Sequence, residues 1–166
     1  MNESLLGPVI STTIIPATKT KFIVREKFVV NDRNAGVVIE CLGGKFKKWF
    51  IDKEENPFTG GTVYGRDLVK KALDTPILEE LGGEKKAKTT LCEIYTMLEK
   101  QSDNREEGLL LGNEANIFFV EDVNNVLRAV GVGWHKDQLI VDAYLVDDSN
   151  PWFAVHRFFS NHSLKS

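Results

Sequence analysis

From Asn116 to Ser160, apolar and polar positions alternate in four runs, 116–121, 126–134, 139–146 and 153–160. The separators 122–125, 135–138 and 147–152 are rich in Asp and Asn and include Pro151. Period-two alternation between turn residues predicts short antiparallel strands, here an up-and-down four-stranded meander. A tight turn at 136–137 sets Val130 against Ala143, Val132 against Val141 and Trp134 against Leu139. One face then collects Val130, Val132, Trp134, Leu139, Val141, Ala143 and Leu145, and the same parity adds Ile117 and Phe119. A one-residue slip would mix the faces, so burial holds the register.

The opposite face carries two strand-interior glycines, which mark a close approach by something else. Gly131 lies opposite Asp142 and Gly133 opposite Ile140, with Tyr144 beside them. Extending the meander through the fourth run pairs Arg157 with Asp142 and Val155 with Tyr144. Asp142, Tyr144 and Arg157 around a floor of Gly131 and Gly133 form the candidate ligand or partner patch. A cross-strand ion pair, with an aromatic ring covering glycine, is the purely structural alternative. Trp134, Trp152 and Phe153 sit beside turns and are candidate interface aromatics.

Upstream, residues 9–15 are β-branched and read as a strand that Pro16 ends. Residues 19–30 and 36–42 read as two further strands, joined through the turn chemistry of 31–36 into an N-terminal β-hairpin layer. Phe46, Trp49 and Phe50 have the spacing of one helical face. Residues 52–61 read as loop, and 67–73 as helix. A second short helix begins at Thr75-Pro76 and stops at Gly82-Gly83. Thr90-x-x-Glu93 is a capping box opening a longer helix to about Gln101, and 102–108 is a charged loop. Strands, then two to three central helices, then strands describe one α+β domain over 1–166, with its helices on one face of the sheet. Phe118, Val120, Leu127 and Val146 on the meander's second face need that cover, and Gly131 and Gly133 leave room for a helix to come close.

Composition narrows the class. With 42% hydrophobic and 27% charged residues, the chain is of the ordinary globular kind. No apolar run reaches the roughly 18 residues of a membrane span. The first residues carry no basic segment ahead of an apolar core, so the chain reads as soluble, leaderless and cytoplasmic. Cys41 and Cys92 lie in separate apolar patterns and read as buried free thiols. The sequons at Asn2 and Asn161 carry no weight in a leaderless chain. The net charge of −3 divides unevenly: nine basic residues against seven acidic over 1–60, seven against seven over 61–101, five against ten over 102–166. An acidic C-terminal half is a poor surface for a phosphate backbone. Nucleic-acid binding would have to use the basic-aromatic segment 45–50, where Lys45, Lys47 and Lys48 interleave with aromatics.

No motif points to chemistry. His135, His156 and His162 have no ligand spacing with one another or with the cysteines, so neither a metal site nor a cofactor is expected. Gly60 to Gly65 lacks the Lys-Ser/Thr of a phosphate loop. No catalytic residue is assigned, and a carboxylate beside an arginine suits charge recognition more than proton transfer. The reading is a non-catalytic protein-interaction module with an unidentified protein partner. The alternative is a small-molecule-binding protein or enzyme using the Asp142 patch, and the third reading is nucleic-acid binding through 45–50. An edge strand left open would permit a homodimer.

Overall fold

The structure is a computed structural model that describes residues 3–103, 108–109, 111–112, 114–147 and 149–161. Asn2, His162 and Ser163, and with them part of each sequon, lie outside the described residues, as does part of the charged stretch 102–108. The elements run β1 (Leu6–Ile15), β2 (Phe22–Ile23), α1 (Val24–Lys27), β3 (Cys41–Leu42), α2 (Gly44–Phe50), β4 (Glu54–Glu55) and β5 (Gly61–Leu68). They continue with α3 (Asp74–Glu80), α4 (Glu84–Ala87), β6 (Lys88–Thr89), α5 (Leu91–Asp103), β7 (Asn116–Glu121), β8 (Leu127–His135), β9 (Gln138–Leu145) and β10 (Arg157–Ser160). The fold is α+β, built on one mostly antiparallel sheet of order β1-β5-β10-β7-β8-β9-β3. The parallel pairs are β10–β7, β3–β9 and β6–β7, with β6 following β10 along the same edge of β7.

β7 is the middle of the molecule because Ile117, Phe118, Phe119 and Val120 are all fully buried, so both of its faces are covered. On one face Phe118, Val130, Val132, Val141 and Phe159 pack against Leu91, Ile94, Tyr95 and Leu98 of α5 and Phe46 and Phe50 of α2. On the other, Ile117, Phe119, Ala129 and Phe158 meet Ile77, Leu78 and Leu81 at α3, and Ala87 of α4. Each fully buried phenylalanine is worth about 1.5–3 kcal/mol relative to exposure. Phe118 stacks on Phe159 at 4.6 Å, and Phe119 on Phe158 at 6.0 Å on the opposite side.

Several sequence expectations hold. The hairpin of β8 and β9 has the expected register, Val130 to Ala143, Val132 to Val141 and Trp134 to Leu139. Its turn residues Lys136 and Asp137 both take positive φ, as a two-residue type I′ turn demands. The capping box forms: Thr90 N–H donates to Glu93 Oε1 at 2.9 Å and Glu93 N–H to Thr90 Oγ1 at 3.1 Å. A second cap is contributed from afar, because the Glu55 carboxylate accepts the N–H groups of Leu91 and Cys92, each at 2.9 Å. Residues 45–50 form α2, and Gly82 and Gly83, at φ 98° and 96°, end the helical stretch of α3. That helix starts at Asp74 with Leu73 at its N-cap, a little ahead of Thr75.

Others are corrected. The meander has three strands, since β10 enters the sheet between β5 and β7. The place beside β9 is taken by β3: Glu40 N–H donates to Leu139 O at 2.9 Å and Gly43 N–H to Val141 O at 2.8 Å. Between β9 and β10 the chain crosses to the far side, where Trp152 and Ala72 exchange backbone bonds of 2.8 and 3.1 Å. Ile117 pairs with Gly131 and Phe118 with Val130, so Phe118 and Val120 join the Val130–Val132 face while Ile117 and Phe119 lie opposite. An apolar run buried on both sides carries no parity signal.

There is no N-terminal hairpin layer. Residues 19–30 hold only β2 and the single turn α1, and 36–42 leads into β3 on the C-terminal sheet. Residues 61–68 are a strand held between β1 and β10, and the helical spacing over 67–73 was misleading: Val69 and Leu73 are exposed. Helices cover both faces of the sheet, not one. Cys41 is exposed and Cys92 buried, and both thiols are free. No helix among the described residues is long and apolar enough to cross a membrane.

Candidate functional site

Four of the five patch residues come together, and Arg157 does not. Gly131 faces Asp142 and Gly133 faces Ile140 across β8 and β9. The Tyr144 ring covers Gly131, where an added Cβ would come 3.1 Å from Cε2. Tyr144 meets Trp152 edge-on at 5.5 Å, and Trp152 meets His156 at 6.0 Å, so an aromatic column lies over the glycine floor. Among the described residues, a Cβ at Gly131 would meet Tyr144 and Ile117, and one at Gly133 would meet Glu114 and Ala115, none of them on a helix. His156 Nδ1 accepts the Ala115 N–H at 2.9 Å. Burial pushes the imidazole pKa below its usual value, and the nearby Glu114 carboxylate opposes this. Partial burial, and then the charge of Asp142, raise the Tyr144 phenol above its ordinary value.

Asp142 Oδ1 accepts the N–H of Ala143 at 2.8 Å, and the carboxylate lies against Gly43. A Cβ at Gly43 would fall 1.9 Å from Oδ1, so only glycine fits ahead of α2 here. Glu114, Ile140, Asp142 and Tyr144 line a shallow cleft of about 170 Å³ over the glycines. That is space for a few waters or a very small fragment. Its polar side chains among the described residues are the Glu114 and Asp142 carboxylates, the Tyr144 phenol, the His135 imidazole and the Trp134 indole, with no Ser, Thr, Cys or Lys among them. Among the described residues, no three His, Cys, Asp or Glu side chains converge as a metal site.

Arg157 sits on β10 opposite Asp67 of β5. Its Nε donates to Asp67 Oδ1 at 2.8 Å and its Nη1 to Gly108 O at 2.5 Å. It forms the cross-strand ion pair of the structural alternative, with a different aspartate. The interface aromatics also separate. Trp134 packs half-buried on the core under α5, and Trp152 on the core under α3, with the sheet between them. Trp152 Nε1 donates to Asp74 Oδ1 at 2.7 Å. Phe153 is 64% exposed, with Lys71 Nζ 5.5 Å from its ring centre. In segment 45–50, Phe46 and Phe50 stack on each other at 5.2 Å inside the core, leaving the exposed lysines without those rings as base platforms.

The surface that sequence reasoning passed over is β1. It is the end strand of the sheet, paired with β5 along one side, and among the described residues no strand pairs with its other side. Register shifts bend it between Leu6 and Ser11, beside Pro8. From Ser11 to Ile15 the ladder is regular, opposite Gly65 to Gly61. Thr13 and Ile15 point to the core; Ile14, on the other face, is 70% exposed and Ile10 48%. No charged residue occurs between Glu3 and Lys19. The β-branched, uncharged run was visible in the sequence, but its position at the sheet's end was not. Compared with protein-family models, with curated proteins and with solved structures, the chain matches none.

Proposed function

We propose that the protein is a non-catalytic protein-interaction module whose contact surface is the open edge of β1, where an extended strand of a partner adds to the sheet. The carrying observation is the 70% exposure of Ile14 on a terminal, uncharged strand. Sheet edges are ordinarily protected by lysine, proline, bulges or short length. Pro8 and the bulges protect the first half of β1, and the regular second half has no such device. Strand addition takes affinity from main-chain N–H and C=O groups and selectivity from alternate side chains. A second copy of the chain meets these needs. Antiparallel pairing of the regular segment about Thr13 sets Thr12 of one copy opposite Ile14 of its partner, twice, with no like charges facing.

The test is light scattering over a concentration series, together with anisotropy of a labelled peptide spanning residues 6–15. Wild-type protein is expected to self-associate or to bind the peptide, and Ile10→Lys/Ile14→Lys to do neither while keeping its melting temperature. Binding that survives the double substitution overturns the proposal, as does wild-type protein that stays monomeric and ignores the peptide.

A further inference from the structure

Two connecting stretches, 69–71 after β5 and 153–155 before β10, are tied together at both ends. At one end Leu68 N–H donates to His156 O at 2.8 Å and Val155 N–H to Leu68 O at 2.9 Å. At the other, Ala72 and Trp152 exchange backbone bonds and pack on the core under α3. Between the ties Val69, Phe153 and Val155 are 53%, 64% and 58% exposed, and Leu73, just past the second tie, is 42% exposed. Single exposed apolar side chains are ordinary, but several gathered on one surface mark an interaction site. Val155 adds a second sign. It is β-branched and holds φ at 86°, a conformation that is costly for such a residue and persists only where the surroundings impose it. The strained backbone presents its side chain to water, so burial of that side chain does not offset the strain.

One unmatched charge lies within this patch. Lys71 Nζ is 5.5 Å from the centre of the Phe153 ring. The neighbouring cations are matched, Lys70 by Glu3 and Arg157 by Asp67. Among the described residues Lys71 has no acidic partner. Any surface that covers Phe153 also takes the ammonium out of water, and a buried charge is tolerated only when it is paired. A second copy docked face to face would bring two Lys71 side chains together. An anionic membrane gains little from one unmatched cation on a chain of net charge −3. We propose that this surface docks an apolar segment of a different protein that carries one Asp or Glu. The carboxylate pairs with Lys71, and flanking Leu, Ile or Phe side chains cover Val69, Phe153 and Val155. The surface is separate from the β1 edge and shares no residue with it.

The experiment selects random twelve-residue peptides, displayed on phage, against the full-length wild-type protein. Enriched sequences are expected to hold one Asp or Glu among Leu, Ile or Phe. The strongest is then synthesised with a fluorescent label, and its affinity is read by anisotropy. Lys71→Glu should weaken binding roughly tenfold or more, and a peptide with its acid replaced by lysine should bind that variant better than wild type. Phe153→Ser, and separately Val155→Ser, should weaken the original peptide at an unchanged melting temperature. Ile10→Lys/Ile14→Lys should leave its affinity unchanged. The proposal is overturned if no peptide is enriched, if the enriched peptides lack a carboxylate, or if binding survives Lys71→Glu. Loss of binding in the β1 variant would also overturn it, by moving the contact to that edge. Sedimentation with phosphatidylserine vesicles that is seen for wild type and lost in Phe153→Ser would overturn it in favour of a membrane surface.

Discussion

Replacing Asp122 tests how a single buried carboxylate holds the turn on which the central strand depends. Asp122 is 1% exposed at the end of β7. Its Oδ1 accepts the N–H groups of Asn124 at 2.8 Å and Val126 at 3.0 Å, and its Oδ2 accepts Arg128 Nε at 2.9 Å. Arg128 in turn lies 3.9 Å from the centre of the Trp49 ring, tying the turn to α2. Breaking a buried ion pair by removing one partner costs about 3–5 kcal/mol. The turn N–H groups and the guanidinium can recover some water, so Asp122→Ala is expected near the lower end, about 3 kcal/mol. At roughly 2–4 °C per kcal/mol for a chain of this size, the melting temperature falls by roughly 6–12 °C. Asp122→Asn keeps an oxygen for both N–H groups and loses the charge, so it should cost less, about 1–1.5 kcal/mol.

Urea denaturation of the three proteins at neutral pH measures these losses. Acidity adds a second readout. Burial pushes the Asp122 pKa up, but the hydrogen bonds from Val126, Arg128 and Asn124, with the charge of Arg128, outweigh it and hold the value below the usual carboxylate range. A depressed folded-state pKa means that the stabilisation is complete above the unfolded value of about 4 and is lost as pH falls through the folded one. The gap between wild type and Asp122→Asn should therefore close below about pH 4. A loss under 1 kcal/mol for Asp122→Ala, or a gap that widens in acid, would refute the reasoning.

Gly43→Ala forces the Asp142 carboxylate out of its place 1.9 Å from the new Cβ, at an expected cost of about 1–2 kcal/mol. Much of that loss should disappear in an Asp142→Ala background, and additive denaturation losses would count against the clash. With a thiol reagent, native protein should show one fast cysteine. That is the exposed Cys41; buried Cys92, its thiol pushed up to about 11 first by burial and then by Glu55, should react only on unfolding. Two equally fast thiols would contradict this placement. His156 is held neutral, with its pKa lowered by burial, so the unfolded chain binds the extra proton first. Stability should fall as pH drops below about 6.5, and His156→Gln should flatten that slope in melts between about pH 7.5 and 5. An unchanged slope would show that His156 is not its source.

The features legible in the sequence are those whose causes lie within a few residues. The capping box spans Thr90 to Glu93, and the β8–β9 register follows from a two-residue turn flanked by alternating positions. The spacing of Phe46, Trp49 and Phe50 likewise specified α2. The candidate patch was half legible for the same reason. Gly131, Gly133, Asp142 and Tyr144 belong to that hairpin, and its local pairing placed them together. Extending the local pattern pairs Arg157 with Asp142, whereas its partner Asp67 is 90 residues away in the chain.

Long-range competition for strand edges decided the rest. β3 occupies the edge of β9, and β10 is drawn between β5 and β7, where Phe158 and Phe159 can be buried on opposite faces of the sheet. Residues 61–68 are a strand because β1 and β10 flank them, against a local spacing that reads as helix. Which face Phe118 takes depended on the five-residue Asp122 turn, since a run buried on both sides has no polar position to set its parity. The exposed edge of β1 and the Lys71 ammonium beside Phe153 likewise acquire meaning only from their neighbours. By itself the sequence determined the elements that local hydrogen bonding and periodicity specify. Strand order follows from long-range packing, because each buried edge and face had to find the partner that removed it from water.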